Sequence, residues 1–188
     1  MKDYLLWDFD GTLARRQGMW TGAVLDAALH RVPHKQISAD EIRPHLSSGF
    51  PWHKPEEEHY HLGSGSAWWK QLEPVFAHAL TSAGVEPLIA AEIAQSVRAQ
   101  YLRPDAWQLL DGAADVLSEL AKSGWSHLLI SNHVPELEDL VKELGIHPQF
   151  DQIFSSANLG VEKPNALFCL LAEPSGLPPA RVIDRIAA

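Results

Sequence analysis

The feature that most constrains this 188-residue chain is its opening segment, Tyr4-Leu5-Leu6-Trp7-Asp8-Phe9-Asp10-Gly11-Thr12, a short apolar run stopped by two carboxylates and a turn residue. Apolar runs of this length ended by a turn read as buried strands. The same pattern returns at Trp125-Ser126-His127-Leu128-Leu129-Ile130, at Gln152-Ile153-Phe154 and at Arg181-Val182-Ile183. Helical patterns lie between these runs. Asp111 is placed to N-cap a helix carrying Val116, Leu117 and Leu120 on one face, with Gly124 just past its end. A second helix runs from about Pro135 to Leu144 with Leu137, Leu140, Val141 and Leu144 as its stripe, and a third from Asn165 to Glu173. Alternating strands and helices predict an α/β fold: a Rossmann-like parallel sheet with helices on both faces and right-handed crossovers.

Residues 15–104 break the alternation. They hold helical patterns and no convincing strand, which predicts an all-α subdomain inserted into a core made of residues 1–14 and 105–188. Ser38-Ala39-Asp40-Glu41 reads as a capping box. Residues 66–82 carry Trp69, Leu72, Phe76 and Leu80 at helical spacing, and 88–102 read as a further helix, closed by Pro104. Residues 49–58 and 63–66 read as loops.

Lys and Arg number 15 against 24 Asp and Glu, a net charge of −9, and the chain lacks the clustered cationic excess that nucleic-acid binding needs. Cys169 is the only cysteine, so no intrachain disulfide or Cys-rich zinc site exists and a reducing compartment is implied. No stretch reaches the apolar length of a membrane span, and the first apolar run is cut by Asp8 before it reaches the length of a signal-peptide core. A cytoplasmic protein without nucleic-acid or membrane partners is expected.

Ligands of open α/β sheets bind beyond the C-terminal ends of the strands, so the polar residues just after each apolar run are the candidates. Asp8 and Asp10 lie about 6 to 7 Å apart along an extended chain. Two such carboxylates stay ionised together only beside a cation, and a hard divalent ion such as Mg²⁺ suits their oxygens. An ordinary turn with one capping and one solvated acid would leave the same sequence trace. Ser131 and Asn132 place a hydroxyl and an amide at the second strand end, suited to phosphate oxygens or to plain turn chemistry. Lys163, ahead of Pro164, sits against the unfavourable end of a helix dipole unless an anion is bound there.

In order, spacing and context, Asp8-Phe9-Asp10-Gly11-Thr12-Leu13, Ser131-Asn132 and Lys163-Pro164 closely resemble the first three motifs of the haloacid dehalogenase superfamily of hydrolases. The insert after the first motif resembles that family's helical cap. The resemblance implies phosphoryl transfer through an aspartyl-phosphate. Asp8 would be the nucleophile, and Asp10 the acid and then the base. Mg²⁺ would be bound at Asp8, the Asp10 carbonyl and the phosphate, while Ser131, the Asn132 backbone amide and Lys163 hold the phosphate oxygens. Dehalogenases of the family generally lack an acid at the place of Asp10, so a small phosphate ester is the implied substrate. A phosphomutase is a second reading, but no feature of the chain would retain the intermediate.

The family's fourth motif, a longer apolar run ending in paired acids, is not matched. The run Arg181-Val182-Ile183 meets Asp184 instead, and Asp184 is the candidate replacement for the missing metal-binding acid. Without that acid, weaker Mg²⁺ affinity and reduced turnover are expected, together with an exposed sheet edge that a partner or a second copy would cover, the protein being a monomer or a weak homodimer. The alternative function is a truncated, weak or inactive relative that acts as a binding protein.

Six of the ten histidines fall between His30 and His61, and they read as a solvated loop cluster rather than a metal site. Trp52, Trp68 and Trp69 are candidates for lining a substrate pocket, with core packing the commoner role for helical aromatics. His133 follows the phosphate-binding pair, placed to touch the leaving group, with a turn residue as the commoner reading.

Overall fold

The computed structural model describes residues 3–63, 65–165 and 168. Apart from Asn165 and Phe168, the expected helix at 165–173 lies outside the described residues, as do the strand at 181–183 and Asp184.

Three strands form a parallel sheet in the order β1 (Asp3–Trp7), β4 (Trp125–Ser131), β5 (Gln152–Ser155). Asp3 pairs with Trp125 and Trp7 with Leu129, while Leu128 pairs with Gln152 and Ser131 with Ser155. The central strand buries His127, Leu128 and Leu129. Trp7 Nε1 donates to His127 Nδ1 at 3.0 Å, and His127 Nε2 lies 3.0 Å from the Leu117 carbonyl. A donor at one ring nitrogen and an acceptor at the other fix a neutral imidazole, and burial pushes its pKa down accordingly.

Helix α5 (Ala113–Lys122) starts one residue later than expected, with Gly112 in the left-handed region at its N-cap and not Asp111. Leu117 is fully buried, Leu120 is half-buried and Val116 is exposed, so its stripe is narrower than its sequence suggests. Helix α6 (Leu137–Glu143) begins at Leu137 instead of Pro135 and buries Leu137, Leu140 and Val141. A four-residue helix, α7 (Ser156–Leu159), follows β5 directly.

The segment after β1 is helical: α1 (Met19–Arg31), α2 (Ala39–Ile42), α3 (Gly65–Ser82) and α4 (Pro87–Tyr101), with single turns at Pro51–His53 and Tyr60–Leu62. At the Ser38 capping box, the Glu41 carboxylate accepts from Ser38 N and Ser38 Oγ at 2.8 and 2.7 Å. Helix α4 is started by Pro87, with the Glu86 carboxylate accepting from the Leu88 and Ile89 amides. One correction concerns the edges of this segment. Ala14–Arg16 (β2) and Trp107–Leu109 (β3) pair as an antiparallel ribbon where the helical segment leaves and rejoins the sheet. Each strand is three residues long and carries Arg or Gln, too short and too polar for an alternating pattern to show.

Among the described residues no helix is long and apolar enough to cross a membrane. The loop of residues 55–60 lies against the segment after β5. His59 N donates to the Gly160 carbonyl at 2.6 Å, and Asn165 Nδ2 to the Pro55 carbonyl at 3.0 Å. Gly160 has φ 73°, and a Cβ there would come within 3.0 Å of the Tyr60 backbone. Gly160→Ala therefore meets both strain and a clash. It should cost about 2 kcal/mol or more and lower the melting temperature by several degrees, against about 1 kcal/mol from strain alone for Gly145→Ala, which has the same left-handed φ (75°) but open space around it. Thermal unfolding of the two variants decides this, and equal shifts would refute the docking role.

Candidate active site

The turn after β1 is built on one carbonyl. Phe9 O accepts from the amides of Thr12, Leu13 and Ala14 at 3.0–3.2 Å, and Gly11 provides the left-handed residue (φ 74°) such a turn requires. Phe9 is fully buried, which anchors the turn and projects Asp8 and Asp10 from either side of it. Side chains of both acids keep access to solvent, 44% for Asp8 and 28% for Asp10.

Asp8 Oδ1 is held twice. Ser131 Oγ donates to it at 2.7 Å, and Lys163 Nζ lies 3.0 Å away while also donating to the Ile130 carbonyl at 3.1 Å. Asn132 acts on the lysine's backbone: its Oδ1 accepts from Lys163 N at 2.7 Å and its Nδ2 donates to Lys163 O at 3.0 Å. Both its oxygen and its nitrogen therefore help to position Lys163. The sequence-predicted residues Asp8, Asp10, Ser131, Asn132 and Lys163 thus converge at one end of the sheet.

Behind this group lies a buried polar chain. His133 N donates to Ser156 Oγ at 3.2 Å, and the Ser156 hydroxyl is hydrogen-bonded to the Glu162 carboxylate. Ser155 Oγ closes the turn after β4 through the His133 and Val134 carbonyls. Glu162 is buried, and burial raises its pKa to about 7 against the smaller opposing effects of Ser156 and Lys163.

Met19, Trp20 and Tyr101 were not legible as site residues. His133 is buried beside the site; its Nε2 stands 3.5 Å from Tyr101 Oη and 3.7 Å from Asp10 Oδ1. Burial and the nearby Asp10 charge push the Tyr101 hydroxyl well above its usual range, so it stays neutral. A pocket of about 260 Å³ opens beside Asp10, Asn132 and His133, and its other walls are Met19, Trp20, Trp52 and Tyr101. Of the expected pocket tryptophans only Trp52 lines it; Trp68 and Trp69 are core residues. A positional signal was available, because residues at the two ends of the helical segment must lie close to the sheet, and Met19, Trp20 and Tyr101 sit there.

Met19 is the only described non-glycine residue with positive φ, at 45°, directly after Gly18 at 70°. That conformation costs about 1 kcal/mol or more. It is held by Arg16, whose buried guanidinium donates to the Met19 and Gln17 carbonyls.

Two oxygen-bearing side chains fit a hard divalent cation, and Asp10 Oδ1 is buried without a hydrogen-bond partner, an acceptor waiting for a donor or a cation. Among the described residues no group of three His, Cys, Asp or Glu is arranged as a metal site. The histidine-rich loop departs from expectation at one residue: His59 is buried while His53 and His61 are exposed.

A family model described as haloacid dehalogenase-like hydrolase matches residues 2–183. The chain belongs to this family. Human haloacid dehalogenase-like hydrolase domain-containing protein 3 is 30% identical over 171 residues, covering 86% of this chain and 64% of the relative. The chain thus spans just under two thirds of that curated relative. Among solved structures, L-2-haloacid dehalogenase from Xanthobacter autotrophicus is 25% identical with a TM-score of 0.61, over 97% of this chain and 68% of that one. The fold is also shared with the magnesium-bound HAD-hydrolase YfnB of Bacillus subtilis (20% identity, TM-score 0.60, 87% of this chain and 69% of that one). A predicted phosphoglycolate phosphatase of Haemophilus somnus 129pt is likewise similar (16%, 0.53, 87% and 66%). Structural neighbours therefore include both phosphatases and dehalogenases.

Glu162 supplies a test of the buried polar chain. Its folded pKa of about 7 stands above the ordinary 4.5, so its contribution to stability is complete below pH 4.5 and is lost as pH rises through 7. Relative to Glu162→Gln, the wild type should lose up to about 3 kcal/mol of stability between pH 4.5 and 8. Urea unfolding of both proteins across that range measures the difference, and a pH-independent difference would refute the buried-acid assignment.

Proposed function

We propose that this hydrolase is a phosphatase that cleaves a small phosphate monoester through a phosphorylated Asp8. The carrying observation is the double hold of Ser131 and Lys163 on Asp8. A hydroxyl donor and a cation converge where a phosphate's oxygens would lie once the ester approaches Asp8.

In the first step an Asp8 carboxylate oxygen bonds to phosphorus as the bond from phosphorus to the ester oxygen breaks. Asp10 gives its proton to the departing alkoxide. In the second step Asp10 takes a proton from water as the water oxygen bonds to phosphorus. The bond from phosphorus to Asp8 breaks, and inorganic phosphate leaves. Ser131 Oγ, Lys163 Nζ and the Asn132 backbone N–H bind the phosphoryl oxygens throughout, with Asn132's side chain fixing the lysine. A magnesium ion held by Asp8, the Asp10 carbonyl and Asp184 would neutralise charge on the transferring group. The helical segment of residues 15–104 acts as a cap over the core of 1–14 and 105–188, restricting water at the reacting atoms. The acid at Asp10 favours this reading over dehalogenation, in which no leaving alkoxide needs a proton. A single cysteine suits a cytoplasmic setting, and the protein acts as a monomer or weak homodimer.

Hydrolysis of an aryl phosphate and of acetyl phosphate, with magnesium and with a chelator, tests the reading. Turnover should need the metal and fall roughly a thousandfold or more in Asp8→Asn, with the fold retained by circular dichroism. Equal turnover in that variant would overturn the nucleophile assignment. Absence of turnover on every ester would favour a binding protein.

A further inference from the structure

We propose that the pocket beside Asp10 selects phosphate esters whose organic part is an uncharged ring, aromatic or similarly flat and apolar. This rests on the phosphatase reading for its chemistry but on separate residues for its specificity.

The shape comes from stacked indole and phenol faces. Trp20 lies against Tyr101 with ring centroids 4.1 Å apart and planes 15° from parallel, and Trp52 stands 5.9 Å from Trp20 at 37°. Phe50, itself buried, stacks on Trp52 at 4.8 Å and 18° and also stands 4.8 Å from Trp20, so one buried ring backs both indoles. Met19 adds a polarisable thioether, presented by the strained turn that Arg16 holds. A wall of aromatic rings made rigid by packing on one another, with one adaptable side chain, suits a flat apolar ligand.

Charge excludes the main alternatives. Among the described residues no lysine or arginine lines the pocket, and its one formal charge is the carboxylate of Asp10. Arg16 lies 5.9 Å from the Tyr101 ring centroid, but its guanidinium is occupied by Asp26 and by the Gln17, Met19 and Gln100 carbonyls. A second phosphate or a carboxylate on the substrate would face Asp10 with no counter-charge. Sugars and polyols fare poorly for a different reason. Asn132's amide is turned to Lys163 through both its oxygen and its nitrogen, and Tyr101 Oη and His133 Nε2 face each other, so few donors or acceptors remain for several hydroxyls.

Volume limits the size. An apolar cavity of about 150 Å³ holds benzene. The space here, about 260 Å³, takes one substituted ring or a small fused pair.

The test pairs turnover with binding. For the wild type, kcat/KM should be at least about tenfold higher for phenyl and naphthyl phosphate than for glycerol 3-phosphate or glucose 6-phosphate. Trp52→Ala should collapse that ratio and Trp52→Phe should largely restore it. Met19→Ser should lower the ratio as well, in case the larger truncation disturbs folding. In parallel, the Asp8→Asn protein is titrated with phenylphosphonate and methylphosphonate, read by tryptophan fluorescence. Phenylphosphonate should bind at least about tenfold more tightly, with the difference lost in the Asp8→Asn, Trp52→Ala double variant. Turnover without ring preference would overturn the pocket assignment while leaving the phosphatase reading intact. Tight, Trp52-dependent phenylphosphonate binding without turnover of any ester would do the reverse. Equal or undetectable binding of the two phosphonates would also overturn it.

Discussion

Everything at the working end of this molecule follows from holding two carboxylates close together at one strand end. Asp8 and Asp10 flank a buried phenylalanine on a turn so tight that three amides share one carbonyl, so neither acid can swing far from the other. Their mutual repulsion has to be met by donors from elsewhere in the chain. Ser131 comes from the end of the neighbouring parallel strand, and Lys163 from the segment that follows β5. Both arrive because parallel pairing in register brings successive strand ends to the same edge. Asn132, Ser156 and Glu162 then serve the two donors rather than the acids. One clamps the lysine's backbone, and the others brace the turn that carries His133.

The helical segment solves a different problem. Its helices pack Val24, Ile42, Leu72, Leu80, Ile93 and Val97 around a group of aromatic rings, and a handful of such rings bury a large area for few residues. Trp20 alone stands within ring-contact distance of Phe50, Trp52, Trp68, Trp69, Phe76 and Tyr101. The aromatic mass reaches the sheet through Tyr101, Trp107 and Phe9, so cap-like packing and site packing are continuous. Polar contacts fasten the rest. Glu136, just ahead of α6, pairs with Arg98 at 2.6 Å and accepts from Trp69 Nε1. The loop of residues 55–60 meets Gly160 and Asn165 close to Lys163.

The parallel sheet, its helices and the gathering of Asp8, Asp10, Ser131, Asn132 and Lys163 were readable from the chain, because in such a sheet position at a strand end becomes position in space. What was hidden depends on side-chain direction or on pairs far apart in sequence. The ribbon of Ala14–Arg16 with Trp107–Leu109 carries no hydrophobic alternation and exists only because both ends of the helical segment cross there. Val116 looked like core and is exposed, since the sheet covers only a narrow strip of its helix. His59 looked solvated and is buried by a backbone bond to Gly160 that no local pattern encodes. His133 and Tyr101 face each other across the boundary between helical segment and sheet, a meeting fixed by tertiary packing alone.

Arg16 ties together chain ends that sequence separates by more than eighty positions. Its guanidinium reaches the Asp26 carboxylate on α1 and the Gln100 carbonyl near the close of α4, while also gripping the turn at Gln17 and Met19. The outgoing and returning crossings of the helical segment are thereby cross-braced at a single buried cation, 3% exposed. A brace at that point leaves the helices no freedom to part from one another at their base. The turn that carries Met19 and Trp20 and the last turn of α4 that carries Tyr101 are therefore held by one side chain, which fixes the spacing of three of the pocket's walls.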